Sequence, residues 1–105
     1  PKRGDIAVIR PRVQGSEEYV KRVIGLPGET VLIRSGHVYI DGRRLVEPYV
    51  LSPTLPDAGP YRLGKEQYFV LGDNRPESDD SRFFGPVELK DLEGKISPRE
   101  LFRFQ

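Results

Sequence analysis

The chain has 105 residues, 17 of them basic and 16 acidic for a net charge of +1, and it contains no cysteine or methionine. That length fits one domain with a core that folds without disulfides. The charge balance calls for neither nucleic acid nor an anionic membrane, and the lack of cysteine excludes thiol catalysis and thiolate metal sites.

Eleven glycines and ten prolines predict many turns and few helices, and recurring groups of β-branched and aromatic residues argue against disorder. Lys2-Arg3-Gly4-Asp5 reads as a polar turn, its Arg-Gly-Asp tripeptide being short enough to arise by chance. A strand follows from Ile6 to Arg10 and ends at Pro11. Residues 12–18 form a polar hairpin loop around Gly15-Ser16, and the strand Tyr19 to Ile24 returns antiparallel to the first until Gly25-Leu26-Pro27-Gly28 stops it. Thr30 to Arg34 and His37 to Ile40 are strands joined across Ser35-Gly36, and Asp41-Gly42 turns the chain into a short strand, Arg44 to Val46. His37, the lone histidine, sits beside apolar neighbours as a surface or packing residue. Pro48 to Gly64 reads as a long surface loop or small flap. A strand from Tyr68 to Leu71 leads into a long polar stretch. Glu88 to Glu93 is expected to be a short helix stopped by Gly94, and Leu101 to Phe104 a closing strand that gives Phe102 or Phe104 to the core. No run approaches the ~18 apolar residues of a membrane span. A start at Pro1 in a chain without methionine points to a piece of a longer protein.

Lys21 is the residue whose chemistry stands out, because it lies inside a strand. Burial by its neighbours would lower its pKa from about 10.4 toward neutrality, as a general-base lysine requires. The plainer reading is an exposed lysine whose stem lies along apolar surface. Beyond the Tyr68–Leu71 strand, Asp73-Asn74-Arg75 suits a turn in which short polar side chains bond nearby amides. Read as a calcium loop from Asp73 the stretch fails, with Arg75, Ser78 and Phe84 where a ligand, a glycine and a closing glutamate are needed. No metal and no cofactor is indicated. On their own, Ser78 reads as a turn serine and Asp80 with Arg82 as a surface ion pair contributing about 0–1 kcal/mol.

Taken together and in order, Arg3-Gly4-Asp5-Ile6-Ala7-Val8, then Lys21-Arg22-Val23-Ile24-Gly25-Leu26-Pro27-Gly28, then Gly72-Asp73-Asn74-Arg75-Pro76-Glu77-Ser78-Asp79-Asp80-Ser81-Arg82-Phe83-Phe84-Gly85-Pro86-Val87 closely resemble the bacterial type I signal peptidases. The likeness runs to about Val87 and more loosely through Gly94-Lys95 and Phe102-Arg103-Phe104; about Ser35 to Gln67 matches no motif. It implies an all-β, mostly β fold of coiled antiparallel sheets with partial barrel character and at most one short helix. Residues 1–105 would be a single catalytic-core domain, with a variable hairpin or flap insertion at about 35–67.

The resemblance further implies that Lys21 is the general base of a serine-lysine dyad and that Ser78 orients it through its hydroxyl. Asp80 and Arg82 would brace the site from behind. Asp73, Asn74 and Arg75 would form the turn that holds this segment against the lysine strand, Arg22 would lend the site further support, and Val20 and Tyr19 would fall at the substrate pocket wall. In that family the nucleophilic serine and the membrane anchor lie upstream of the Arg-Gly-Asp block, so this chain is expected to be inactive alone. Ser52, in Ser52-Pro53-Thr54-Leu55, follows the lysine and lacks the family spacing, which excludes it as nucleophile. Glu29 stands where the family usually has aspartate and keeps the charge.

Implied partners are exported preproteins bound in extended form beside the lysine strand, and the bacterial cytoplasmic membrane through an anchor, with this domain on the outer face. Against that stand a small β-barrel module binding peptide or nucleic acid, with Arg43-Arg44 and Lys21-Arg22 as phosphate contacts, and a relative that binds signal sequences without cutting them. Interleaved acids and the lack of an aromatic-basic stripe disfavour nucleic acid. The self-cleaving repressors share a similar fold, but the Gly72–Val87 motif does not point to them.

Overall fold

A computed structural model of the chain describes residues 1–10, 18–48, 56–77, 79–96 and 103–104. Its strands are β1 (Ile6–Ile9), β2 (Tyr19–Gly25), β3 (Thr30–Arg34), β4 (His37–Ile40), β5 (Arg43–Val46), β6 (Ala58–Arg62), β7 (Gln67–Leu71), β8 (Val87–Glu88), β9 (Leu92–Ile96) and β10 (Arg103–Phe104). They pair antiparallel into two five-stranded sheets, ordered β8-β7-β2-β1-β9 and β10-β5-β4-β3-β6. Strand content and antiparallel pairing are as expected from the sequence, while the sheets stay open and do not close into a barrel.

Apolar patterning explains which strands are central. In β3 and β4, Val31, Ile33, Val38 and Ile40 alternate inward, as befits strands buried on one face. Tyr68, Phe69, Val70 and Leu71 of β7 are all buried, so this strand is covered on both faces. Phe69 and Leu71 join Ile24 and the inward residues of the second sheet in one core. Tyr68 and Val70 join Ala7, Ile9, Val23 and Val87 in another, on the far side of the first sheet. β2 passes from the first sheet toward the second through Leu26-Pro27-Gly28-Glu29. There the Glu29 N–H donates to Leu26 O at 3.1 Å, and Gly28 takes φ 83°. Proline second and a positive-φ glycine third form the pattern of a type II turn. Glu29 closes it again with its side chain, Oε1 accepting from Leu26 N at 2.7 Å while the carboxylate grips Arg3.

Two local expectations are corrected. Within the proline-rich stretch read as a long surface loop or small flap, Ala58–Arg62 forms β6, pairing with β3 through Ala58–Ile33, Tyr61–Val31 and Arg62–Thr30. An edge strand tolerates Pro60, and the register shift opposite Val31 and Ile33 absorbs Gly59-Pro60. Residues 88–93 are not a helix: β8 ends at Glu88, a 3-10 turn spans Leu89–Asp91, and β9 follows with Gly94 inside it. A segment that short pays a nucleation cost, and its backbone finds partners elsewhere, Leu89 N on Glu66 O at 2.8 Å and β9 along β1. The α-helix among the described residues is α1, Ser81–Phe84, capped by Asp80. The 12–18 loop, except Glu18, and the placement of Phe102 lie outside the described residues, and for Phe104 the structure gives backbone pairing with Leu45.

Candidate active site

Lys21 lies on β2 opposite Ala7 of β1. Alternation puts it on the same face as Tyr19 and Val23, with Val20 and Arg22 on the other. The side chain is partly buried, and Nζ is 6.0 Å from the centroid of the Tyr19 ring, at the outer limit of a cation–π contact. Tyr19 in turn packs on Phe84 of α1, with ring centroids 5.3 Å apart. The β2–β7 ladder ends at the Arg22–Leu71 pair, so β2 runs on beyond β7 through Lys21, Val20 and Tyr19. At that end a cavity of about 190 Å³ is lined by Ile6, Val20, Lys21, Arg22, Gly72 and Asp73. Val20 is 60% exposed, an apolar surface beside the lysine. Tyr19, on the same face as the lysine, is not part of the cavity lining.

Arg22 fixes the strand end that carries Lys21. Its Nε and Nη2 donate to Asp73 Oδ1 at 3.0 Å and Oδ2 at 2.8 Å, and its Nη1 donates to Gly4 O at 3.1 Å. One side chain thereby joins β2, the turn before β1 and the loop after β7, in the two-pronged geometry that suits arginine.

The loop from Gly72 to Arg82 is braced by charges that are buried. Asp80 has no exposed surface. Its Oδ1 accepts from Arg82 Nε at 2.8 Å and Arg82 N at 3.2 Å, and its Oδ2 from Arg82 Nη2 at 2.9 Å and Gly72 N at 3.1 Å. Arg82 reaches back to Arg75 O at 2.7 Å. The surface-pair reading of Asp80 and Arg82 is therefore overturned, because side-chain exposures are 0% and 6%. Arg75 is buried. It donates from Nε to Gly72 O at 2.6 Å and pairs with Glu47, at the end of β5, through Nη2 at 2.6 Å and Nη1 at 3.4 Å. Buried pairs offset their desolvation only when every donor and acceptor is used, and among the described residues no buried side-chain nitrogen or oxygen lacks a partner.

Of the residues singled out in the sequence, Lys21, Arg22, Val20 and Asp73 thus meet at one cavity, and Asp80, Arg82 and Arg75 lie behind it. Asn74 is exposed. Ser78 and Ser52 lie outside the described residues. His37 pairs with Arg34 on the second sheet. Among the described residues no cluster of His, Asp or Glu could hold a metal ion. Glu47 carried no motif signal, its partner being 28 positions away. Ser81, whose buried Oγ accepts from Val70 N at 2.9 Å, was hidden inside the motif as one more polar letter.

An open two-sheet β fold thus carries a strand lysine at a cavity wall, backed by a loop of buried ion pairs. Residues 1–99 match the family described as signal peptidase, peptidase S26, and the chain belongs to it. Within that family it is 43% identical over 106 residues to Signal peptidase I of Leptolyngbya laminosa, covering 94% of this chain and 52% of that protein. It is 39% identical over 104 residues to Probable signal peptidase I-2 of Synechocystis sp., covering 94% of this chain and 48% of that one. The crystal structure of a signal peptidase I from Enterococcus faecalis V583 matches with a TM-score of 0.80 at 37% identity, over 92% of this chain and 97% of that one. The chain spans about half the length of the curated relatives it matches.

Proposed function

We propose that this chain is the larger part of the catalytic domain of a type I signal peptidase, a serine-lysine endopeptidase that removes signal peptides from exported preproteins after small-x-small sites. The observation that carries this is the position of Lys21, at the wall of the cavity where β2 outruns β7. Beyond the Arg22–Leu71 pair no described strand pairs with that edge of β2. An extended substrate can add there as a strand, taking its affinity from main-chain hydrogen bonds and its specificity from shallow apolar surface such as Val20. Residues 35–67, which contribute β4, β5 and β6, serve as the variable insertion on this core.

In the reaction, the Lys21 amine takes the proton of a serine hydroxyl supplied by the parent protein. The serine oxygen attacks the scissile carbonyl, and the lysine then passes the proton to the departing amine. A water, deprotonated by the same amine, opens the acyl-enzyme. Ser78 orients the amine; Asp73 with Arg22, and Asp80 with Arg82, keep its strand and the facing loop in place. The parent is held in the bacterial cytoplasmic membrane with this domain on the outer face. Among the described residues no helix is long and apolar enough to cross a membrane.

The test is cleavage of a peptide bearing a small-x-small junction by the full-length parent and its Lys21→Ala variant. Loss of a general base is expected to cost on the order of 10²–10⁴-fold in kcat, with substrate binding and thermal stability retained. A parent that never cuts, or a variant that cuts equally well, refutes the reading; binding without cutting would identify a signal-sequence-binding relative. The isolated 105-residue chain is expected to leave the same peptide intact, since the family's nucleophilic serine lies upstream of the Arg-Gly-Asp block.

A further inference from the structure

We propose that Glu47 is a positioning residue for the Lys21 site, acting through Arg75 from the opposite sheet; the inference rests on the peptidase reading of that site. Arg75 heads the fully buried side chains by size. Its guanidinium has no exposed surface, and Glu47 is 10% exposed. The pair joins the end of β5 in the second sheet to the loop after β7 in the first, across 28 positions of sequence. Burying two charges is costly, and an apolar pair of similar volume often stabilises a fold as well or better. What an apolar pair cannot do is hold a carbonyl in place, and Arg75 Nε does so with Gly72 O at 2.6 Å.

Gly72 is thereby fixed on both sides, its N–H by Asp80 and its C=O by Arg75. Gly72 and Asp73 form one wall of the cavity, and Asp73 grips Arg22, the chain neighbour of Lys21. The line of contacts therefore runs from Glu47 through Arg75, Gly72, Asp73 and Arg22 to Lys21. With the Glu47 charge removed, the guanidinium is left buried without its counter-ion and must shift toward water, releasing the Gly72 carbonyl and the wall it belongs to. A lysine strand and facing loop out of register by about 1 Å lose on the order of 10²-fold in rate. The second sheet thus contributes to catalysis without touching the substrate.

Glu47→Gln in the full-length parent keeps the shape of the side chain and removes its charge. The expected result is a fall in kcat of roughly tenfold to a hundredfold with KM little changed, accompanied by faster hydrogen exchange at the Gly72 amide. Unchanged kcat, or a loss confined to KM, overturns the proposal. The double variant Glu47→Gln/Arg75→Gln removes the buried guanidinium together with its counter-ion and covers the case in which the single variant fails to fold; it too is expected to be slow, and parental kcat in it is equally fatal. If the parent itself cuts nothing, the peptidase reading falls on its own evidence. Gly72 exchange, which needs no activity, then still decides: protection retained in Glu47→Gln rejects the coupling, and protection lost supports it.

Discussion

Asp80 illustrates how a charged side chain holds a loop without facing solvent. Donors from Arg82 and Gly72 occupy both of its oxygens, and it caps α1 at the same time. Asp80→Asn keeps the shape but leaves the guanidinium of Arg82 in a buried place with its charge uncompensated. Breaking a buried pair in this way is expected to destabilise the fold by about 3 kcal/mol, seen as a lower urea midpoint at unchanged slope. Arg10 and Glu93 are the contrast: their side chains are 58% and 31% exposed. Arg10→Ala should move the same midpoint by no more than about 0.5 kcal/mol. The family resemblance named Asp80 and Arg82 as a charge pair that braces the site. It could not say that they are buried, since burial is decided by which strands cover them. Glu47 lay beyond reading altogether, its role being set by the way one sheet folds over the other.

Gly25 sits at the end of β2, where the ladder to β7 skips between Val23 and Gly25. A Cβ there would lie 2.6 Å from Val31 Cγ2, 2.8 Å from Leu63 Cδ1 and 3.0 Å from Phe69 Cβ. The strand can pass into the inter-sheet core only because this residue has no side chain. Gly25→Ala is therefore expected to cost about 1–3 kcal/mol through overpacking. A Cβ at Gly94, inside β9, would meet nothing within 4 Å. Gly94→Ala should be neutral or stabilising by up to about 1 kcal/mol, because it reduces the freedom of the unfolded chain. Opposite signs for two glycine-to-alanine changes in strands of one sheet, measured by denaturant unfolding, are the check. The sequence announced β2, β3, β4 and β7 through β-branched and aromatic runs bounded by turn residues. It concealed β6 behind Gly59-Pro60, and it made 88–93 look helical because a few mixed residues carry no period long enough to separate strand from helix. In both places the outcome was set by partners distant in sequence, β3 for the one and β1 for the other.

The two sheets form one molecule because β7 is shared between two cores. Phe69 points into the space between the sheets with Ile24, Val31, Ile33, Val38, Ile40 and Leu45, and the ring of Tyr61 from β6 packs on it at 4.6 Å between centroids. Val70, the next residue, belongs to the cluster on the other face with Ala7, Ile9 and Val23. Lys21 shares a strand with Val23 and Ile24, one from each cluster, so the position of the candidate base depends on both cores being intact. Phe69→Ala removes a ring from the contact between the sheets and is expected to cost about 3–5 kcal/mol, a large share of the roughly 5–15 kcal/mol that holds a typical domain folded. If the sheets are coupled as the shared strand requires, the variant still unfolds in one step. Backbone circular dichroism and tyrosine fluorescence should then give coincident transitions, displaced together to lower denaturant. Separate transitions would mean that the second sheet melts alone, and Glu47, at the end of β5, would then have no rigid base from which to hold Arg75.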